Sequence, residues 1–365
     1  MANSITINKY ARDINCLKED NREIRENALC QILNNITIDI ECIINNNNNN
    51  TSDSKEYLIY LTDTIYPNIL NLVEDKIARI RERILKFINL FIINYYCILN
   101  DHLLVIILSS LYSRLYMENN NDFKEKMENI RILTIDIIKN IVLFNNNNNN
   151  KNNEIINNIY NYNSNIILVK RFVLTDIIKI ITISCKDNNP EMKEKSACFI
   201  IELLDYIDNI NNITKDNTLK DIISDNCKET INILSLNCCH QRYKIRKISS
   251  IALIYLLQFN SSFFLHNESL LYKLSCDKHT EVRKETFLSL TKLFKNINIT
   301  VIKKIGANIL CLIMLGMSDE DLDIKSTTFD NINILGKYYK ELLKKIDSIE
   351  KENNNLNIIN NRLDN

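Results

Sequence analysis

Apolar residues recur along this chain at intervals of three, four and seven rather than two. In the stretch DKHTEVRKETFLSLTKLF, from Asp277 to Phe294, Val282, Phe287, Leu290 and Phe294 share one helical stripe. An acid stands ahead of that stripe. Five and six residues after the acid come a branched apolar residue and a cation. The arrangement recurs as Glu19-Ile24-Arg25, Asp75-Ile80-Arg81, Glu125-Ile130-Arg131, Asp187-Met192-Lys193, Asp277-Val282-Arg283 and Asp319-Ile324-Lys325. A seventh copy, His240-Ile245-Arg246, has His in place of the acid. Between copies a second apolar helix is expected each time, as over Tyr57–Val73, Leu103–Met117, Ile166–Cys185, Leu219–Cys238 and Val301–Met317.

Neither helix of such a pair can cover its own stripe, but stacked neighbours can. Two-helix units at intervals such as 240 to 277 and 277 to 319 resemble the HEAT and armadillo arrays, whose repeats run to about 40–47 residues. The predicted fold is all-α, a HEAT/armadillo-like α-solenoid of about seven helical hairpins spanning residues 1–349. Longer intervals coincide with the Asn tracts Asn45–Asn50 and Asn145–Asn150. Asn competes for its own backbone and a loop lengthens at little entropic cost. Disordered Asn-rich inserts are therefore expected near 45–52 and 145–165, with a disordered tail over 350–365.

An acid just ahead of a helix suits its free amides and the positive end of its dipole. The cation six residues on can reach the acid of an adjacent repeat. A structural ladder is thus expected through Asp75, Arg81, Asp187, Lys193, Asp277, Arg283, Asp319 and Lys325. Some of these cations, Arg283 among them, could instead face a bound protein. The densest basic patch, HQRYKIRKIS, holds Arg242, Tyr243, Lys244, Arg246 and Lys247. It reads either as a docking point for an acidic partner segment or RNA, or as a solvated helix start with Arg246 in the ladder. The C-terminal helix aligns Leu335, Tyr339, Leu342, Ile346 and Ile349 as a cap or as a face for another helix.

Composition narrows the function classes. Lys+Arg and Asp+Glu both number 45, which argues against a protein living on polyanions. With 3 Gly, at 306, 316 and 336, no phosphate-cradling loop can be built. The 11 Cys contain no C-x-x-C pair and read as reduced thiols of a cytoplasmic protein, and the N-terminus lacks a signal-peptide core. Lys86, Asn89, Asn94, Asn100, Asp101 and His102 break the apolar region Ile84–Tyr112, so no membrane span is expected. Cys238-Cys239-His240 has no second ligand pair at usable spacing, and no Ser or Cys sits in the context of an activated nucleophile. A non-enzymatic protein without cofactor or metal is expected.

Four segments resemble the dynein axonemal assembly factor 5 family. EDKIARIRERILKFI is similar to its early repeats, with Arg-Glu at the motif cation. CCHQRYKIRKISSIALIYLL, LSCDKHTEVRKETFLSLTKLF and MLGMSDEDLDIKSTTFDNINILGKYYKE are similar to three successive later repeats, in the right order. The resemblance implies a cytoplasmic factor for preassembly of axonemal dynein arms, with dynein chains and chaperones as partners and no catalytic residues. The alternative is a generic HEAT-repeat adaptor: a transport receptor, a phosphatase scaffold or a tubulin-binding array.

Overall fold

A computed structural model describes residues 7–45, 56–57, 59–95, 101–117, 122–123, 125–143, 171–214, 218–259, 261–297 and 299–363. The chain is an all-α repeat solenoid that divides into two units, Met1–Asn226 and Cys227–Asn365.

The first unit stacks four hairpins. Helix α1 (Ala11–Cys16) pairs with α2 (Arg22–Asn45). A π turn (Leu61–Ile65), α3 (Tyr66–Leu70) and a 3-10 turn (Asn71–Glu74) lead into α4 (Ala78–Tyr95). Helix α5 (Asp101–Leu115) pairs with α6 (Glu128–Val142), and α7 (Arg171–Lys186) with α8 (Pro190–Thr214). A short helix, α9 (Thr218–Asn226), packs on α7. Second helices stack on second helices, α4 on α6 and α6 on α8, while α5 touches α7. Ile80, Ile84, Leu85, Ile88 and Ile92 of α4 are buried, which explains the stacking. Each such side chain contributes about 1.5–3 kcal/mol when removed from water, and no single hairpin could enclose them all.

The second unit holds three hairpins: α10 (Lys228–Asn237) with α11 (Tyr243–Leu256), α12 (Ser261–Ser275) with α13 (Thr280–Asn296), and α14 (Ile299–Met314) with α15 (Leu322–Leu363). Helix α13 packs against α11, α12, α14 and α15, with Val282, Phe287, Leu290 and Phe294 buried. A 3-10 turn, Leu315–Ser318, joins α14 to α15. A Cβ at Gly316 would lie 2.5 Å from Thr328 Oγ1 and 3.2 Å from the Phe287 ring, so glycine lets this turn close onto both helices.

The structure departs from the expected elements in four places. The single helix expected over Leu219–Cys238 is two, α9 and α10, joined at the buried Cys227. Asp225 and Asn226 are poor helix formers at the joint, and the Asn226 amide donates to the Ile222 carbonyl at 2.8 Å. The helix expected over Leu103–Met117 ends at Leu115, and Tyr116–Met117 pairs antiparallel with Asp122–Phe123. Helix α15 continues to Leu363, through most of the stretch 350–365 expected as a disordered tail. Leu356, Ile359 and Leu363 keep helical spacing there despite Asn353–Asn355. Finally, Val301–Ser318 is long and apolar enough to cross a membrane, where sequence inspection weighs Ile84–Tyr112 instead. Ile302, Ile305, Ile309, Leu312 and Ile313 form one buried face of that segment while Met314 and Met317 are exposed, and α14 packs on α12, α13 and α15 through it. Most of both Asn-rich inserts lies outside the described residues.

Candidate functional site

Five motif arginines grip the carboxylate of the next copy through Nε and Nη2. In the first unit Arg25 reaches Asp75 at 2.9 and 3.2 Å, Arg81 reaches Glu125 at 2.9 and 3.0 Å, and Arg131 reaches Asp187 at 2.7 and 3.0 Å. In the second unit Arg246 reaches Asp277 at 2.7 and 2.8 Å, and Arg283 reaches Asp319 at 2.7 and 2.9 Å. The remaining arm, Nη1, turns back to the chain's own loop. Arg81 donates to the Asp75 and Lys76 carbonyls at 2.6 and 3.1 Å, and Arg283 to the Asp277 carbonyl at 2.8 Å. A planar fork of five donors fits this double task, which a lysine ammonium cannot reproduce.

Each acid has a second task. Asp75, Glu125, Asp187, Asp277 and Asp319 accept the backbone N–H two residues ahead at 2.7–3.0 Å. The expectation that these acids cap the helix itself is thereby corrected, because they close the turn before it. In three copies capping falls to the residue two positions on, whereas Met127, Arg242 and His279 at that position give the helix no side-chain cap. Asn21, Asn189 and Asp321 each accept two amides of the helix that follows. His240 keeps the turn role without the charge, its Nδ1 accepting the Arg242 N–H at 3.0 Å.

The two motif lysines behave differently. Lys193 donates to the Cys185 carbonyl of its own hairpin at 3.1 Å, and the copy after it offers His240 rather than a carboxylate. The expected rung to the acid of the next copy is corrected in that His240 stands where the carboxylate would be. Burial pushes the Lys193 ammonium down, against the pull of Cys185 and Asp187. Lys325, in the last copy, is half-buried, and its charge helps Arg283 hold Asp319 ionised.

Burial alone would push the carboxyls of Glu125, Asp277 and Asp319 up. Hydrogen bonds from their arginines and from backbone amides outweigh it, so all three titrate below the usual carboxylate range. A carboxyl depressed by folding stabilises the fold above its unfolded pKa, about 4, and that contribution is lost as pH falls through the lower folded value. The urea midpoint should therefore be flat from neutrality to about pH 5 and drop below about pH 4. Asp277→Asn with Asp319→Asn should shrink the acid-induced drop; an unchanged drop would place the titrating groups elsewhere.

The basic patch divides between structure and surface. Arg246 is buried in the ladder. Lys247 pairs with Glu281 at 2.7 Å, and the Tyr243 ring stacks on His279 with centroids 3.7 Å apart. Arg242 and Lys244 remain exposed. Arg242→Glu with Lys244→Glu should change stability by less than about 0.5 kcal/mol in urea unfolding, as is usual for exposed positions; a larger loss would make them part of the packing. Beside the patch's continuation, a cleft of about 350 Å³ is lined by Ser275, Cys276, Asp277, Lys278, Arg283 and Asp319, among others. Its acids and arginine are already engaged, Asp319 by Arg283 and Asp277 by Arg246 from outside the cleft. Among the described residues no three His, Cys, Asp or Glu side chains are placed to hold a metal, and Cys238 is a buried thiol whose pKa burial pushes up.

A family model described as dynein axonemal assembly factor 5-like, TPR repeats, matches residues 16–344. The chain belongs to that family. A search of curated proteins returns no match. Solved structures with a similar trace include a designed armadillo repeat protein in complex with the peptide (KR)4, at 13% identity and TM-score 0.45, covering 74% of this chain and 99% of that one. An engineered protein gives 10% identity and TM-score 0.46, covering 75% and 97%. Armadillo repeat proteins computationally designed for modular peptide recognition give 12% and 0.44, covering 73% and 98%.

In this family member the ladder also draws in a residue outside the repeated motif. Arg114 of α5 binds Glu125 at 2.7–2.8 Å, leaving that carboxylate 1% exposed between two arginines. No recurring position marks Arg114, so only the fold reveals it. Arg25, Glu125 and Arg131 belong to the motif itself and take rungs of the same form.

Proposed function

We propose that this chain is a cytoplasmic, non-enzymatic scaffold that holds axonemal dynein chains, together with chaperones, while dynein arms are preassembled. The observation that carries the reading is the family match over residues 16–344, nearly the whole repeat array. The solenoid supports it physically. The ladder's arginines and acids are occupied with one another, and what the second unit turns outward is suited to contact rather than chemistry: Arg242, Lys244, Leu236 and Tyr272. Repeat arrays present such side chains along an extended surface. The test is removal of the gene from cells that build flagella, with electron microscopy of axonemes and affinity capture of the tagged chain. Axonemes lacking dynein arms, and co-purifying dynein chains, are expected. Normal arms in the knockout overturn the proposal.

A further inference from the structure

Helix α15 leaves open a face that every earlier second helix covers. Ten and thirteen residues after the motif's first position, α4 has Leu85 and Ile88, and α13 has Phe287 and Leu290; all four are buried. The equivalent residues of α15 are Phe329, 54% exposed, and Ile332, half-buried. Two turns before Phe329, Leu322 is 77% exposed. Seven residues beyond Phe329, Gly336 is exposed, with no atom within 4 Å of where a Cβ would be. Leu322, Phe329 and Gly336 thus form a heptad-spaced line that another helix can approach closely.

The charges beside that line name the occupant. Asp323, Asp330, Lys337 and Lys344 are exposed, share the same seven-residue spacing, and run acid, acid, base, base. Two such helices laid antiparallel about a two-fold axis between residues 333 and 334 set Asp330 level with Lys337 of the other copy, and Asp323 level with its Lys344. Both pairs form twice. Asp323 already receives Lys284 yet stays 66% exposed by its side chain, so it can accept a second cation. A parallel pair in register would instead put like charges level. The N-terminal end of the array offers no matching line, because on α2 the exposed Ile24 and Ile38 are separated by the exposed polar residues Asn27, Gln31 and Asn34.

We infer that α15 is the interface of a symmetric antiparallel dimer, with a second copy of this chain as its partner. Phe329 packs within one turn of the partner copy's glycine, and the charges fix direction. The inference does not rest on the dynein-arm reading, and the failure of either leaves the other standing.

The test uses the full chain in sedimentation equilibrium. The wild type should have the mass of two chains, and Phe329→Glu, with unchanged circular dichroism, the mass of one. Asp330→Lys and Lys337→Asp should each weaken self-association about tenfold or more. Mixed, these two variants should form a heterodimer, because positions 330 and 337 then oppose each other with unlike charge while Asp323 and Lys344 keep their pairing. A monomeric wild type overturns the proposal. So does a dimer that survives Phe329→Glu, or a mixture of the charge variants with no preference for the mixed pair.

Discussion

Asp319→Ala is expected to lower the stability of the second unit by about 3–5 kcal/mol, the usual cost of breaking a buried ion pair from one side. Arg283 is 6% exposed, and Asp319 supplies two of its hydrogen bonds. Without that carboxylate the guanidinium stays desolvated and loses its principal counter-charge. Glu320 also touches it, at 3.2 Å, but is 86% exposed by its side chain, so water screens what it can return. The attraction between Arg283 and Asp319 need not exceed their desolvation for this result; leaving one charge alone is what costs. The double variant Arg283→Met with Asp319→Leu should accordingly recover much of the loss, and a double-mutant cycle in urea measures the coupling. A single-variant cost below about 1 kcal/mol would put this rung in the class of surface salt bridges.

Val282→Asp should cost about 4 kcal/mol or more, and it tests the core rather than the ladder. Val282 is fully buried one residue before Arg283, on the helix that touches four others. A carboxyl there has no partner. It will shift its pKa upward and stay neutral, yet still bury an unsatisfied polar group. Val282→Ala separates the contributions, since it loses only methyl groups and should cost about 2 kcal/mol. The excess of Asp over Ala reports polarity. Hydrogen exchange across α13 should rise more in the Asp variant, and equal exchange in both would mean that the site admits water.

The motif made the architecture legible because one donor and one acceptor recur in fixed register while the loops between them vary. Ladder partners followed from the same pattern wherever the cation is arginine and the next copy offers a carboxylate. What stayed hidden has local causes. The acid's bond to the amide two residues ahead depends on a turn whose geometry no spacing encodes, so capping was assigned to the wrong residue. Arg114 lies on a first helix, where no recurring position marks it. Phe329 occupies the register of the buried Phe287 yet is exposed, because no following hairpin packs on it among the described residues. The break at Cys227 was masked by apolar residues that continue on both sides of it.

Interchangeability follows from the rungs. Arg246 and Arg283 offer the same fork at the same place in their copies, and Asp277 and Asp319 answer with the same two oxygens. Deleting residues 277–318 would bring Asp319 to the position where Arg246 now meets Asp277, and the junction would need no new chemistry. Recombination can therefore lengthen or shorten such a gene by whole repeats and still yield chains that fold. Two junctions are exceptions: the one at Glu125, whose second arginine makes it private, and the one between Lys193 and His240, which has neither the fork nor the carboxylate, so duplications should be tolerated least there.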